Sequence, residues 1–426
     1  MNKAKYVIIG GGITGLYFAN QLKNEDYIII EKNEMVGGYC RTFYKKDFIW
    51  DCAGHFYHFK NEKIKNDFIR AIGEKNIIKN QKNTKIYYKD KYIDYPFQKN
   101  IHELEKDEFI DCLYDLYTKK EKEEYQNFLD MLYGKFGKSI VEKFLKPYNE
   151  KLYACSLETL DKDAMGRFFP YANIDEIIRN MKEKDNNSYN DTFLYPKNGA
   201  QSYIDYLYNK LDKNKVLLNC KVEKLNDDEK FIELDNENII YYDYLINTCP
   251  YNQFLELFDD KYTKIINDLS YNKVLVFNLG FSKKSLNKEH WIYFPDKSIN
   301  FYRVGFYNNI LNTDKMSLYV EIGFSKNAEI NIEDELEKTL ENLKKCNILD
   351  EKQTLEEYNY IVMDPAYVHI NTEETKCIEK INEELNKKNI YSIGRYGKWT
   401  YCSMEDCMIQ GEEIYKAINQ KKEGWF

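Results

Sequence analysis

The segment that most constrains this chain is a glycine-rich turn between two short apolar runs near its N-terminus. Gly10-x-Gly12-x-x-Gly15 follows the first apolar run, and the second run ends on Glu31. In such a motif the first glycine allows a tight turn, the second lets the backbone approach a pyrophosphate, and the third lets a helix pack on the strand. The helix N-terminus offers N–H groups to phosphates, and Glu31 is placed to accept hydrogen bonds from a ribose. The pattern predicts a βαβ unit that binds a dinucleotide.

Composition and hydropathy exclude several functional classes. The 426 residues carry a net charge of −8, so no chain-wide basic field would attract nucleic acid. No apolar run reaches the roughly 18 residues that a membrane span needs, and the first strand begins too early for a signal peptide. The ten cysteines are scattered without a C-x-x-C pair, which favours reduced thiols over zinc or disulfides. We therefore expect a cytoplasmic protein of two or three domains with no metal site.

Arginine is rare in this chain, with six residues among 62 basic ones. Where composition is biased toward lysine, a retained arginine is expected to need its planar guanidinium, whose fork of N–H donors binds a phosphate or a carboxylate in bidentate fashion. Each one could equally form a structural ion pair. The first places to look for phosphate ligands are therefore Arg41, Arg70, Arg167, Arg179, Arg303 and Arg395.

The order of predicted elements indicates an α/β fold with a discontinuous, Rossmann-like dinucleotide-binding domain. We assign residues 1–94, 186–270 and 386–426 to that domain, because buried strands recur in all three segments. Residues 95–185 show the three- and four-residue apolar spacing of helices. Residues 271–385 alternate apolar and polar positions with many aromatics, which is typical of an antiparallel sheet. A helical domain and an antiparallel β-sheet domain are thus predicted as insertions.

Several further blocks follow one another almost from end to end. They are Gly37-Gly38, Asp51–His55, Tyr95-Pro-Phe-Gln98, Phe144–Asn149, Arg167, Trp291-Ile-Tyr293, Phe301-Tyr-Arg303, Tyr367 and Gly394–Tyr401. In this order they resemble the FAD-dependent, amine oxidase-like flavoproteins and, among these, the larger, eukaryotic-type UDP-galactopyranose mutases. The resemblance implies that the dinucleotide is FAD and that the two inserted domains bind the substrate.

An activity also follows from this resemblance. It implies a flavin-dependent, non-redox isomerase that interconverts the pyranose and furanose forms of a UDP-sugar, UDP-galactopyranose and UDP-galactofuranose above all. In that family the N5 atom of reduced FAD forms a covalent adduct with the sugar, whose ring opens through an iminium. The resemblance further implies NADPH or NADH as reductant and a place in cell-surface glycan biosynthesis. The expected partner is the UDP-sugar, and a homo-oligomer is left open.

The resemblance assigns site residues as well. Arg167 and Arg303 are expected to hold the diphosphate and His55 to lie beside the isoalloxazine; with Asn190 they form the expected catalytic set. The expected FAD-binding residues are Gly10, Gly12, Gly15, Glu31, Lys32, Gly37, Gly38, Arg41, Gly54, His55, Val222, Gly394, Arg395, Glu405 and Asp406. The expected substrate-binding residues are Tyr95, Phe97, Gln98, Asn149, Tyr153, Arg167, Asn190, Trp291, Tyr293, Arg303, Tyr367, Arg395 and Tyr401.

One pair among these residues has a simple geometric reason. Trp291 and Tyr293 are two apart on a predicted strand, so they share a face that could serve as a platform for uracil. Aromatic residues make up 16% of the chain, however, and any single one of them could belong to the core instead.

Alternatives remain at the level of substrate and of reaction. Lys146 stands where the family usually has arginine and Tyr153 where tryptophan is common, so N-acetylgalactosamine or a pentose could replace galactose. A second possible function belongs to another reaction class, that of an FAD-dependent amine oxidase or desaturase. The site of such an enzyme would have a hydrophobic tunnel and would lack cations that hold a diphosphate. A flavin-binding protein without catalysis is a third possibility.

Overall fold

The computed structural model describes residues 3–183 and 191–422, and its strands and helices follow here in chain order. The strands are β1 Lys3–Ile9, β2 Tyr27–Ile30, β3 Thr42–Lys45, β4 Phe48–Asp51, β5 Ile77–Gln81, β6 Thr84–Tyr88, β7 Lys91–Asp94, β8 Thr192–Pro196, β9 Val216–Leu217, β10 Val222–Asn226, β11 Phe231–Leu234, β12 Ile239–Asn247, β13 Asn272–Phe281, β14 Trp291–Tyr293, β15 Arg303–Phe306, β16 Ser317–Ser325, β17 Leu355–Met363 and β18 Ile390–Ser392. The helices are α1 Ile13–Gln21, α2 Glu62–Ile72, α3 Lys106–Thr118, α4 Phe128–Ile140, α5 Lys146–Tyr153, α6 Ile174–Lys182, α7 Gln201–Asn209, α8 Tyr251–Glu256, α9 Thr263–Asp268, α10 Tyr307–Leu311, α11 Ile332–Lys345, α12 Thr372–Lys387, α13 Gly394–Gly397 and α14 Met404–Lys422.

The first large sheet has the order β10-β11-β12-β1-β2-β9, and β18 pairs with β12. Its centre is parallel, because β1 pairs in parallel with both β2 and β12. Every strand of this sheet comes from one of the three segments predicted to form the dinucleotide-binding domain. The α/β class and the amine-oxidase-like FAD fold expected from the sequence are therefore confirmed.

Both faces of this parallel sheet are covered by helices. Along β1, Tyr6 and Ile8 pack on one side with residues of α1, α7 and α14. Val7 and Ile9 pack on the opposite side with residues of α8, α9 and α12. This two-sided burial explains why residues 6–9 of β1 and all of β2 are continuous apolar runs.

The second large sheet has the order β17-β13-β16-β15-β14-β6-β7 and is antiparallel except for the β14–β6 pair. The β6–β7 hairpin lies within residues 1–94, which we assigned to the FAD-binding domain, yet it hydrogen-bonds to this second sheet. The domain boundaries stay a prediction, since strand pairing alone does not define them. One face of the sheet packs on α11, and the other face packs on the helical region.

The helical region packs against one face of the second sheet. A π-helical turn, Val141–Leu145, joins α4 to α5, and π-turns of this kind are frequent at functional sites. Helix α5 lies on β16 and presents Tyr148, Asn149 and Tyr153 beside the second sheet. Within residues 3–183 and 191–422, none of the helices combines the length and apolar character that crossing a bilayer requires.

Candidate active site

The turn after β1 forms a cradle at the N-terminus of α1. A Cβ atom on Gly15 would lie 2.1 Å from the carbonyl oxygen of Gly10, so only glycine allows the helix to pack this close to the strand. A Cβ atom on Gly12 would have no atom of the described residues within 4 Å, so this face of the turn is open. No side chain among the described residues caps α1, which leaves its first N–H groups available to an anion.

The predicted ribose ligand, Glu31, supports the same turn. Its side chain is 5% exposed and accepts a hydrogen bond from the Gly11 backbone N–H at 2.9 Å. Its second oxygen accepts from the backbone N–H of Asn33 at 2.9 Å and from Asn33 Nδ2 at 2.6 Å. A carboxylate has about four acceptor sites, so one remains for a ribose hydroxyl.

Six other predicted FAD-binding residues lie near this cradle or in the sheet that carries it. The Gly37 N–H donates to the Gly11 carbonyl at 2.9 Å, and a Cβ on Gly38 would lie 3.6 Å from the Gly12 Cα. Arg41 Nε donates to the Gly38 carbonyl at 3.0 Å, while a Cβ on Gly394 would lie 2.5 Å from Thr14 Oγ1. Val222 is buried on β10 of the same sheet, and Lys32 is exposed after β2.

Two predicted FAD-binding carboxylates sit in the first turn of α14. Glu405 accepts hydrogen bonds from the backbone N–H groups of Lys60 at 2.8 Å and Asn61 at 2.7 Å, just before α2. Asp406 accepts from Ser403 at 2.8 Å and forms an ion pair with Arg167 at 2.5 Å. Both carboxylates are therefore engaged with protein groups, and their contact with FAD stays a prediction.

This cradle fits the adenosine and pyrophosphate half of FAD. The open face at Gly12 admits the pyrophosphate, the uncapped N-terminus of α1 offers donors to it, and Glu31 keeps one acceptor site for the ribose. In addition, the described residues contain no group of three or more His, Cys, Asp or Glu side chains that could hold a metal ion.

His55 lies between the cradle and the second sheet. Its Nδ1 atom is 3.1 Å from the Ala53 carbonyl, so the contact assigns the proton to Nδ1 and leaves Nε2 as an acceptor. Burial lowers the pKa of His55 to about 4; the hydrogen bond to Ala53 opposes this shift, and the positive charge of Arg395 adds to it. The imidazole is therefore neutral at neutral pH.

Arg303 is held by an acidic partner in the adjacent strand. Its Nε donates to Glu321 Oε2 at 2.6 Å, and its Nη2 donates to Glu321 Oε1 at 2.7 Å. The Glu321 residue is 1% exposed, whereas 21% of the Arg303 side chain is exposed. The pair leaves Nη1 and one hydrogen of Nη2 for a further anion.

Arg395 is held mainly by aromatic rings. Its guanidinium carbon lies 4.5 Å from the ring centroid of Tyr401 and 5.2 Å from that of Tyr367, and these two rings stack at 5.7 Å. Its Nη1 donates to the Cys402 carbonyl at 3.1 Å. No carboxylate among the described residues pairs with this guanidinium, so an anionic ligand would complete its environment.

Aromatic rings form a continuous wall beside Arg303. Tyr293 packs against Tyr95 and against Tyr148, with both centroid distances 5.1 Å. Trp291 Nε1 donates to the Tyr293 hydroxyl at 2.9 Å, so the two residues do share a face. However, Trp291 is 3% exposed and stacks on Phe56 at 5.5 Å, which covers one side of its indole. The partly exposed rings of Tyr95 and Tyr148 are thus more accessible to a base than Trp291.

Four other predicted substrate residues lie behind this wall. Phe97 is fully buried and stacks on Phe144 at 5.0 Å. Gln98 and Asn149 donate to backbone carbonyls of Pro170 and Leu145, but Gln98 Oε1, Asn149 Oδ1 and the Tyr153 hydroxyl are buried without a hydrogen-bond partner among the described residues. Asn190 lies outside the described residues. A polar ligand would satisfy these three groups, although unpaired buried polar atoms also occur elsewhere among the described residues, as at Asn287 and Gln353.

The structure thus brings one group of predicted residues together: His55, Tyr293, Arg303, Tyr367, Arg395 and Tyr401. Arg167 lies at the edge of this group: its guanidinium is over the ring of Phe168, which packs edge-on against Tyr401 at 5.0 Å, and 41% of its side chain is exposed. Of the six arginines, Arg70 is instead a surface residue that pairs with Asp67, and Arg179 is exposed on α6.

Besides Tyr148, sequence reasoning missed three charged residues at this site. Glu321 holds Arg303, and its only sequence signal is a charge inside an otherwise apolar strand. Lys82 places its Nζ 4.7 Å from the ring centroid of Tyr95. Lys151 on α5 donates to the backbone carbonyls of Phe294 and Asp296 at 2.8 Å and of Phe301 at 2.5 Å. It thereby ties α5 to the loop between β14 and β15, and no local pattern reveals such a contact.

The profile of the family described as "flavin containing amine oxidoreductase" matches residues 13–414. Among solved structures, the fold is similar to that of a reduced UDP-galactopyranose mutase, with a TM-score of 0.92 and 25% identity over 98% of this chain and 94% of that one. It is also similar to a candidate protoporphyrinogen oxidase from Exiguobacterium sp. 255-15, with a TM-score of 0.76 and 18% identity over 99% of both chains. A fatty acid isomerase from P. acnes that produces CLA aligns with a TM-score of 0.65 and 12% identity, over 97% of this chain and 98% of that one. The last two likenesses show the fold alone.

Proposed function

This chain belongs to the family of flavin containing amine oxidoreductases, and we propose that within this family it interconverts the pyranose and furanose forms of a UDP-sugar. UDP-galactopyranose and UDP-galactofuranose are the proposed substrate and product, and the proposed subgroup is the larger, eukaryotic type. The likeness to a UDP-galactopyranose mutase over nearly the full length of both chains supports this proposal.

The observation that carries the proposal is the placement of two guanidinium groups around Tyr367. Arg395 lies over the Tyr367 ring at 5.2 Å, and the charges of Arg303 and Arg395 both act on the Tyr367 hydroxyl. Arg303 retains donors that Glu321 does not use, and Arg395 has no carboxylate partner among the described residues. Two such cations fit a diphosphate, whereas an amine or an apolar substrate would gain nothing from them.

The chain's own groups would act on the leaving diphosphate and the sugar. Fixed cations stabilise the negative charge that develops when a glycosyl–phosphate bond breaks, typically by a few kcal/mol. Arg303 and Arg395 are the proposed donors, and Arg167 is a third if it releases Asp406. The tyrosine hydroxyls of residues 367 and 401 are proposed contacts of the phosphates and the sugar. FAD, when bound and reduced, would supply a nucleophilic nitrogen.

His55 has a separate proposed role. Its neutral imidazole keeps Nε2 free to accept a hydrogen bond, so it can hold a proton beside the flavin without adding positive charge. Asn190 is proposed as a further ligand of the substrate. Tyr95, Tyr148 and Tyr293 form the proposed platform for uracil.

The decisive experiment compares oxidised and reduced enzyme with UDP-galactofuranose. We expect UDP to perturb the flavin absorbance in both states, and turnover to UDP-galactopyranose only after reduction with dithionite, NADPH or NADH. Turnover in air with release of hydrogen peroxide would instead assign an amine oxidase or desaturase. A panel of reduced-enzyme assays with UDP-N-acetylgalactosamine and UDP-pentoses would identify the sugar.

A further inference from the structure

Two thiols meet at the start of α14. Cys402 Sγ and Cys407 Sγ are 3.8 Å apart, and the two residues are 9% and 5% exposed. Ser403 caps this helix: its N–H donates to Asp406 Oδ2 at 2.8 Å, and its Oγ accepts from the Asp406 N–H at 3.2 Å. Cys402 is therefore the residue before the N-cap, and Cys407 is the fourth residue of the helix. Two apolar side chains commonly meet at these two positions. Here both of those side chains are thiols.

The geometry is close to that of a disulfide. A disulfide bond is about 2.05 Å long, so the sulfur atoms must approach each other by less than 2 Å, which rotation of the side chains can supply. Because only four residues separate the two cysteines, closing the bond requires no rearrangement between distant elements. By contrast, Cys112 and Cys346 are fully buried in two different hydrophobic clusters.

The surroundings favour a thiolate at Cys407. The hydrogen bond from Cys402 lowers the pKa of the Cys407 thiol, and a hydrogen bond from Thr14 and the charge of Arg395 act in the same direction against the effect of burial. The positive end of the α14 dipole adds to this effect within the first turn. The thiolate is the nucleophilic form of cysteine, so Cys407 is the expected point of attack.

We propose that Cys402 and Cys407 form a redox-active dithiol that hydrogen peroxide converts into an intramolecular disulfide. The Cys407 thiolate attacks one peroxide oxygen, the O–O bond breaks, and the leaving hydroxide takes up the proton that the Cys407 thiol has lost, giving a sulfenic acid and one water. The Cys402 sulfur then attacks the Cys407 sulfur, the S–O bond breaks, and water leaves. Two thiols are oxidised to one disulfide and one peroxide is reduced to two waters. This inference is independent of the proposed isomerase function.

The dithiol is one hydrogen bond away from the candidate active site. The Cys402 carbonyl accepts from Arg395 Nη1 at 3.1 Å, and Arg395 lies over Tyr367 and Tyr401. A disulfide would fix residue 402 against the first turn of α14 and would therefore restrain the backbone carbonyl that orients this guanidinium. Thiol oxidation and the position of Arg395 are thus physically linked.

Mass spectrometry of the purified holoenzyme tests this proposal. The protein is treated with one equivalent of hydrogen peroxide, denatured, alkylated with iodoacetamide and digested with trypsin. We expect the peptide that contains both Cys402 and Cys407 to be lighter by two hydrogen atoms and to resist alkylation until dithiothreitol is added. Cys112 and Cys346 in the same sample should remain alkylatable and serve as internal controls.

Serine variants distinguish this pair from its neighbours. Cys402→Ser and Cys407→Ser should each abolish the disulfide, whereas Cys40→Ser, which removes a thiol 3.6 Å from Met404 Sδ, should leave it intact. The proposal is overturned if the wild-type peptide carries only a sulfinic acid at Cys407, if Cys40 forms the bond with Cys407, or if peroxide modifies only Met404. Because the wild-type result decides by itself, a variant that fails to fold does not affect the conclusion.

Discussion

Arg303 and Glu321 lie directly opposite each other on β15 and β16 and share two hydrogen bonds, at 2.6 and 2.7 Å. The buried carboxylate fixes the plane of the guanidinium and neutralises its charge in the absence of ligand. The unused donors of Arg303 are thus oriented before a ligand arrives. Orientation before binding reduces the entropy that binding would otherwise cost.

Replacing Arg303 by Lys keeps the charge but removes the fork. We expect Arg303→Lys to weaken UDP binding by roughly 10- to 100-fold, about 1.4 to 2.8 kcal/mol, because an ammonium cannot bind Glu321 and a phosphate in the same plane. Isothermal titration calorimetry with UDP measures this effect. Arg70→Lys, at a surface ion pair with Asp67, is the matched control and should bind UDP like the wild type. Equal UDP affinities for both variants would contradict the assigned role of Arg303.

Removing the charge of Glu321 tests the other half of the pair. Glu321→Gln should lower the free energy of unfolding by about 3 kcal/mol, because it leaves a largely buried guanidinium without its counter-charge. Urea denaturation followed by circular dichroism measures the change. Glu62→Gln breaks a surface pair with Lys65 and should change stability by less than about 0.5 kcal/mol. A Glu321 variant as stable as the Glu62 variant would show that the pair does not stabilise the fold.

Two neighbouring glycines should respond differently to the same substitution. In Gly12→Ala the new methyl group has no atom of the described residues within 4 Å, so the chain should fold normally. It should nevertheless lose FAD, because the methyl group occupies the space of the pyrophosphate. Gly15→Ala would place its Cβ 2.1 Å from the Gly10 carbonyl and should destabilise the protein itself. Flavin absorbance per chain and the melting temperature separate the two effects. Full flavin content in Gly12→Ala would argue against the proposed position of the pyrophosphate.

Lys151 should hold the loop between β14 and β15 in place. Lys151→Met removes three hydrogen bonds to backbone carbonyls, and we expect a loss of about 2 kcal/mol in stability together with a raised KM for the UDP-sugar. Burial lowers the pKa of Lys151 to about 7, and the negative charge of Asp296 opposes this shift. Lys297→Met removes an exposed lysine of the same loop that pairs with Glu150, and it should leave both quantities unchanged. Similar stability and a similar KM for the two variants would argue against this role of Lys151.

His55 should make stability depend on pH in a defined window. Its pKa is lowered from 6.5 to about 4 on folding, chiefly by burial, so between these values the unfolded chain binds more protons than the folded one. The contribution of His55 to the free energy of unfolding should therefore fall as the pH drops through this range, by on the order of 1 to 2 kcal/mol between pH 7 and pH 5, and the lowered pKa values of His58 and His290 add to the total loss. Urea denaturation at both pH values measures it. His55→Asn, which keeps a donor for Ala53, should reduce this loss, whereas His102→Asn at an exposed position should not.

Short-range features of the site could be predicted from the sequence because the interactions that create them are local. The glycine motif, the buried strands around it and Glu31 lie within about 30 residues, and each has one structural reason to be where it is. The scarcity of arginine drew attention to all six arginines, which include Arg303 and Arg395 but also the surface residues Arg70 and Arg179. The covered face of Trp291 could not be predicted, because Phe56 reaches it from a distant part of the chain.

What the sequence determined by itself was the cofactor-binding turn, the α/β class and the set of residues able to bind an anion, since these follow from residue type and short spacing. Only the tertiary structure decided which of those residues meet. Strand register selected Glu321 among 70 acidic residues as the partner of Arg303, and the packing of the helical region on α14 joined Arg167 to Asp406 across the chain. Such contacts depend on how whole sheets and helices pack, and that packing is a collective property of the core that no local pattern encodes.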